Sequence, residues 1–210
     1  MKKSSTKPTG ATSYKQTSFG IIPRPKLLQL ELEGTKRGLE YIQTHTDQIN
    51  RITPDLICKL HEISFAWIFP AWAGTYRKIQ VTYSGKEAPP YHQIPELVTN
   101  FCRDIEERDR NLPLHDDAEF ITEAVSLLAW MQHAFVFIHP FQDYNGRIAR
   151  MLTICMLIKL NLPPVEIHAE RETDRKKYIK AMQEADGGNF SPLESLISQA
   201  LIESLEHSTK

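Results

Sequence analysis

The sequence predicts an all-α protein with one small β-hairpin, and three observations carry that expectation. Most of the chain repeats its apolar residues at helical spacing, apolar-polar alternation is confined to one short stretch, and helix start and stop signals separate the segments. At 210 residues, 41% hydrophobic and 24% charged, the chain has apolar side chains for one substantial core, so a single domain is expected over residues 26–207. Two apolar segments near its middle are expected to be the central helices of a bundle.

Residues 1–25 are rich in Ser, Thr, Lys and Gly and read as a flexible tail, because such residues bury too little surface to order a chain. In LLQLELEGTKRGLEYIQTH, Leu28, Leu32, Leu39 and Ile42 fall at roughly helical spacing, giving one helix that Gly34 interrupts and is able to break. Thr53 as N-cap, Pro54 at the first helical position and Asp55 in the first turn open a second helix, which ends near Pro70. Ile79, Val81 and Tyr83 then alternate with polar residues before Ser84-Gly85, and Pro89-Pro90 disfavours a long returning strand, which predicts a short hairpin over about 77–92. Helices follow in ELVTNFCRDIEERDR, EFITEAVSLLAWMQHAFVFI, NGRIARMLTICMLIKL, DRKKYIKAMQEA and SPLESLISQALIESLEH. The second of these carries Ile121, Val125, Leu128, Met131, Phe135 and Ile138, and the third is apolar nearly all round across MLTICMLI, so both are expected to be buried.

Composition narrows the function. A formal charge of -1 supplies no bulk basic field, so sequence-independent nucleic-acid binding is not expected and any bound anion should be held locally. Cys58, Cys102 and Cys155 are odd in number and far apart, which suits reduced thiols, and no CxxC or HExxH spacing suggests a structural metal. The N-terminus lacks the apolar region of a signal peptide, and no apolar run is read as long enough to cross a bilayer, so a cytoplasmic protein without membrane contact is expected.

The chemistry concentrates in HPFQDYNGRIAR, His139 to Arg150, which joins the two apolar helices. Asn145-Gly146 reads as the turn opening the second of them, where unsatisfied amides and the helix dipole favour an anion. Arg147 and Arg150, three residues apart, share a face of the first turn, where cations oppose the dipole and need an anionic partner such as phosphate. Asp143 would repel that phosphate unless a divalent cation lies between them. His139 titrates near neutrality and is able to take a proton from an attacking hydroxyl. Each residue alone also has a plainer reading: a helix-ending histidine, a capping aspartate, arginines paired with surface acids. Their joint occurrence in one short stretch favours phosphoryl-type or nucleotidyl transfer.

HPFQDYNGRIAR resembles the signature of the Fic (Fic/Doc) family, HPFx[DE]GN[GK]RxxR, matching it at His139, Pro140, Phe141, Asp143, Asn145, Gly146, Arg147 and Arg150. FPAWAGTYRK, VTYSGKEAPPYHQIP and YIKAMQEADGGNFSPL also look like the corresponding parts of Fic domains, so the resemblance spans about residues 26–205. It implies a helical fold with the hairpin as a flap over the active-site groove, and transfer of AMP from ATP to a Ser, Thr or Tyr hydroxyl of a target protein. His139 would be the base, Asp143 the Mg²⁺ ligand, and Asn145, Gly146 and Arg147 the anion hole. Arg150 would hold the distal phosphate and Phe141 would anchor the loop. Ile79, Val81 and Tyr83, with the stretch from Pro89 to His92, would dock the target by main-chain pairing, where the plainer reading is an ordinary surface hairpin. Tyr144 departs from the family's usual Gly; positive φ there would strain it, and its ring is expected to crowd the phosphates or stack on another ligand.

Members of the family are also held in check by an antitoxin partner or by self-inhibition through a helix with [ST]xxxE[GN]. QLELEG keeps the Glu33-Gly34 end but has Gln29 in place of Ser or Thr, which makes Glu33 either a carboxylate that reaches Arg150 and excludes the ATP γ-phosphate or an exposed helical glutamate. Competing functions are a Doc-like kinase or other phosphotransferase, against which Gly146-Arg147 speaks, and a catalytically weak interaction module, for which Tyr144 speaks.

Overall fold

The computed structural model describes residues 16–165, 167 and 172–208. Among the described residues, besides two single-turn 3-10 helices at Thr46–Gln48 and Tyr91–Gln93, the regular structure is seven α-helices and one two-stranded sheet: α1 (Arg24–Thr44), α2 (Pro54–Phe65), β1 (Thr82–Tyr83), β2 (Lys86–Glu87), α3 (Ile94–Arg110), α4 (Phe120–Ile138), α5 (Asn145–Lys159), α6 (Glu172–Asp186) and α7 (Ser191–Ser208). The helix boundaries follow the local signals closely. Thr53 caps α2 by accepting from the Leu56 N–H at 3.1 Å, an interaction of about 1 kcal/mol, and Pro54 occupies the first turn, where its missing N–H costs nothing.

At the centre of the bundle α4 packs against α3, α5, α6 and α7, and α5 in turn touches α1 and α2. By length and composition α4 would suffice to cross a bilayer, contrary to the sequence expectation, yet half of its apolar window is buried by these neighbours. Val125, Leu128, Met131, Phe135 and Ile138 face the core as expected, whereas Ile121 is exposed at the rim of a recess between α4 and α7. α5 is buried on nearly every side from Met151 to Leu157, which explains why its sequence shows no polar face beyond its first turn.

Three expectations are revised. The tail ends earlier than residue 25: the Ser18 N–H and hydroxyl bond the carbonyls of Ile68 and Trp67 at 2.8 and 2.6 Å, and Thr17 and Ile22 are buried. Residues 1–15 of that expected tail lie outside the described residues. α1 is continuous through Gly34, and its buried stripe is Leu27, Glu31, Gly34, Gly38 and Ile42, while Leu28 and Leu32 are exposed. Gly34 is present for packing: a Cβ there would lie 2.2 Å from the Ser64 carbonyl oxygen of α2, and one at Gly38 would lie 2.4 Å from Ser64 Oγ. The two helices cross at their small residues. Third, α2 stops at Phe65, and turns carry the chain on through Thr75.

The hairpin forms with the shortest connection. Ser84 and Gly85 both have positive φ (47° and 78°), the signature of a type I′ turn whose twist matches the strands. Ladder pairing is limited to Thr82 with Glu87 and Tyr83 with Lys86, extended by an Ala88 N–H to Val81 carbonyl bond of 3.0 Å; Ile79 lies outside it and is exposed.

Candidate functional site

The loop between α4 and α5 is built from the core outward. Phe141 is fully buried, and its ring stacks on His61 of α2 at 3.8 Å. His61, also fully buried, accepts the Gly74 N–H at Nδ1 (2.8 Å), so Nε2 carries the proton and donates to the Asp143 carbonyl at 3.2 Å. Burial pushes this imidazole down to about 3, which keeps it neutral. Asn145 clasps the other end: its Oδ1 accepts from the Phe141 N–H and its Nδ2 donates to the Phe141 carbonyl, both at 2.9 Å. Its side chain is therefore a buckle for the loop, a different duty from the anion contact the resemblance implies, and its backbone amide remains in the first turn of α5 with that of Gly146.

His139 follows the last residue of α4 in the left-handed conformation (φ 51°, ψ 56°). Its Nδ1 lies 3.0 Å from the Val136 carbonyl, which is able only to accept, so Nδ1 is protonated and Nε2 is the acceptor. Burial, aided by the charge of Arg77 and opposed by the Val136 bond, holds the imidazole below its usual range, hence neutral at neutral pH. Asp143, half-buried, accepts the Tyr144 N–H at Oδ1 (2.7 Å).

Tyr144 does adopt positive φ (63°), and although it borders the groove its ring packs against α2. It is buried, stacks on Phe65 at 4.1 Å and donates its hydroxyl to Glu31 Oε1 at 2.8 Å. Glu31, 1% exposed, gathers three donors: that hydroxyl, Arg24 Nη1 at 2.8 Å and Arg147 Nη2 at 3.1 Å. Arg147 Nη1 is buried with no hydrogen-bond partner among the described residues. Of the two readings of Glu33, the exposed helical glutamate is the one seen: it pairs with Arg37 one turn on at 3.4 Å and lies off the buried stripe of α1, away from Arg150. The carboxylate that meets the signature is Glu31, and its arginine is Arg147, whereas Arg150 sits beside the Tyr178 ring of α6.

These groups line one groove of about 430 Å³, to which Arg24, Arg147, Arg150 and Arg175 bring positive charge and Tyr83 and Ser84 a roof from the flap. Arg24, Glu31 and Arg175 were not singled out in the sequence; Glu31 alone carried a signal, its place between Leu27 and Gly34 on a helical stripe. The larger recess between α4 and α7, about 760 Å³, is lined by serines and glutamates and contains no histidine or arginine. Of the expected flap residues, Tyr83 reaches the site, stacking on His139 at 4.6 Å, while Ile79 and Val81 do not line the groove. The flap's second strand is tied to α6 by an ion pair between Lys86 and Asp186, which also accepts from or faces His133 Nε2 at 3.1 Å.

A loop that joins two core helices and brings a histidine, a carboxylate and two arginines under a hairpin defines the class whose signature it resembles. The chain belongs to the Fic/DOC family, whose profile matches residues 51–157. It is 29% identical over 178 residues to the protein adenylyltransferase Fic of Nematostella vectensis and 27% identical over 177 residues to that of Aedes aegypti, in both cases over 84% of this chain. The chain spans only 39% and 33% of the lengths of these two relatives. Among solved structures, Fic-1 from C. elegans superposes with a TM-score of 0.70 at 22% identity, covering 91% of this chain and 54% of that one. A Fic-domain signalling protein from Bacteroides thetaiotaomicron gives 0.67 at 24% identity, covering 84% and 69%. These likenesses establish the helical Fic fold with its small flap.

Proposed function

We propose that this chain is a protein adenylyltransferase, moving AMP from ATP to a Ser, Thr or Tyr hydroxyl of a target protein. The observation that carries the proposal is the fixed tautomer of His139, whose Nε2 is free of the Val136 bond at the edge of an arginine-lined groove. The target oxygen forms its bond to the α-phosphorus as the bond from that phosphorus to the bridging oxygen of pyrophosphate breaks; the hydroxyl proton passes to His139 Nε2, and the electron pair leaves with pyrophosphate. Arg150 and the first-turn amides of α5 offset charge on the phosphates. Asp143 suits Mg²⁺ in the manner typical of nucleotide enzymes, one carboxylate with phosphate oxygens completing the shell, since no three His, Cys, Asp or Glu side chains converge among the described residues. Bound there, Mg²⁺ would neutralise phosphate charge and orient the leaving group.

Glu31 supports a regulatory reading of the same site. With Arg147 committed to Glu31, one of the two signature arginines is withdrawn from phosphate, so in this conformation the chain restrains its own transfer. Intact-mass analysis of a hydroxyl-bearing acceptor after incubation with ATP and Mg²⁺ tests both parts. A gain of one AMP less water, larger for Glu31→Gly and unaltered for Glu33→Gly, is expected. No gain in any variant refutes the transfer, and equal gain in wild type and Glu31→Gly refutes the inhibition.

A further inference from the structure

Arg77 is 3% exposed, and no carboxylate pairs with it among the described residues. Its guanidinium instead spends its donors on three backbone carbonyls: Nε to His139 at 2.7 Å, Nη1 to Ile79 at 2.9 Å and Nη2 to Pro89 at 2.6 Å. Its own N–H bonds the Pro140 carbonyl at 2.9 Å. Ile79 and Pro89 are the two ends of the flap, so one side chain gathers both legs of the hairpin and fastens them to the backbone of His139. Lysine lacks this reach, because its donors radiate from one nitrogen whereas a guanidinium presents a planar fork.

From the other end of the same hairpin Tyr83 lays its ring on the His139 imidazole, with centroids 4.6 Å apart and planes 11° from parallel. The histidine thus has three restraints. Val136 fixes its tautomer, Arg77 fixes its carbonyl in a left-handed conformation that a side-chain-bearing residue adopts at a cost, and Tyr83 blocks rotation of the ring. Offset stacking of this kind is enough to bias a two-state rotation of the ring several-fold.

We propose that Arg77 and Tyr83 are positioning residues for the base: the flap, beyond covering the groove, acts through them as a clamp that holds His139 with Nε2 available to the attacking hydroxyl. The assignment rests on the transfer reading, because it makes the imidazole the base. It differs from target docking along the hairpin, since it is the Tyr83 ring and not its main chain that acts.

The test compares wild type, Tyr83→Phe, Tyr83→Ala and Arg77→Lys by steady-state AMP transfer and by ¹⁵N and ¹H NMR of the histidines, with His139→Ala assigning the resonance. Tyr83→Phe keeps the stack and should retain kcat within about twofold. Tyr83→Ala should lower kcat several-fold, in proportion to the ring orientations the stack no longer holds, with KM for ATP within about twofold. In the spectrum, wild type and Tyr83→Phe should show one tautomer with Nδ1 protonated and a ring-current-shifted Hε1, and Tyr83→Ala should show mixed tautomers. Arg77→Lys should fall between. Tyr83 is a half-buried side chain on an otherwise mostly exposed hairpin, and Tyr83→Ala leaves the core untouched, so it remains informative where Arg77→Lys misfolds. A Tyr83→Ala variant with wild-type kcat, a Tyr83→Phe variant that falls as far, or a loss confined to the target's KM overturns the proposal. If wild type transfers no AMP at all, the transfer reading fails, and the spectrum alone then decides the clamp: a single Nδ1-protonated tautomer surviving in Tyr83→Ala overturns it.

Discussion

Acidification from pH 7.5 to 5.0 should weaken this protein through His61 specifically. The folded state holds the imidazole at about 3, against about 6.5 when unfolded, so the unfolded chain binds the extra proton across that interval. A base depressed on folding contributes stability that is present above the unfolded value and is lost as pH falls toward the folded one. Taking 1.36 kcal/mol per unit, about 2 kcal/mol is lost by pH 5.0, and the loss continues until about pH 3. The structural cause is plain: a doubly protonated His61 is unable to accept the Gly74 N–H, and a buried donor then faces a donor. Because Nε2 holds the Asp143 carbonyl, the loop between α4 and α5 loosens with it. The assay is urea denaturation of wild type and His61→Gln at both pH values. His61→Gln should be less stable at pH 7.5 but should lose about 2 kcal/mol less than wild type on acidification, other titrating groups cancelling in the difference. Equal losses in the two proteins would refute the reasoning.

Other substitutions separate competing effects. Gly34→Ala gains about 1 kcal/mol of helix propensity, but its methyl would sit 2.2 Å from the Ser64 carbonyl; forced movement of α1 from α2 costs about 1–3 kcal/mol, so a lower thermal midpoint is expected. Tyr144→Gly relieves about 1 kcal/mol of left-handed strain and forfeits a buried ring worth about 3–5 kcal/mol, so chemical denaturation should show a net loss of stability despite restoring the family's usual residue. Tyr144→Phe removes one hydrogen bond to Glu31, about 1 kcal/mol, while keeping the ring; its transfer rate should rise modestly above wild type.

The fold was legible where signals are local. Thr53-Pro54, the Ser84-Gly85 turn and the near-continuous apolarity of residues 151–158 each act through their own backbone or their immediate neighbours, so the helix start, the hairpin and the buried helix they mark appear as read. The signature stretch was legible because its residues are contiguous in the chain. What escaped depends on which face a residue presents. Glu31 and Glu33 are two apart, about 200° around a helix, and a linear motif does not say which one turns inward. The deciding signal was the spacing of Leu27, Gly34, Gly38 and Ile42, obscured by the exposed leucines at 28 and 32. The positive φ of Tyr144 was legible, but the aromatic wall of Phe65 and Trp72 that receives its ring was not, because those residues are distant in sequence. His61 and Arg77 left little trace, since each acts on backbone atoms distant in sequence, and only His61, one turn from Ile57 and Phe65, hinted at an inward face.

The central claim is that His139 activates a hydroxyl toward the α-phosphorus of ATP. Parallel incubations of wild type and His139→Ala with Mg²⁺ and ATP labelled on either the α- or the γ-phosphate test it most directly. The account predicts protein-bound label from the α position alone, lost in His139→Ala. Label from the γ position, or α-label that persists without the histidine, would contradict it.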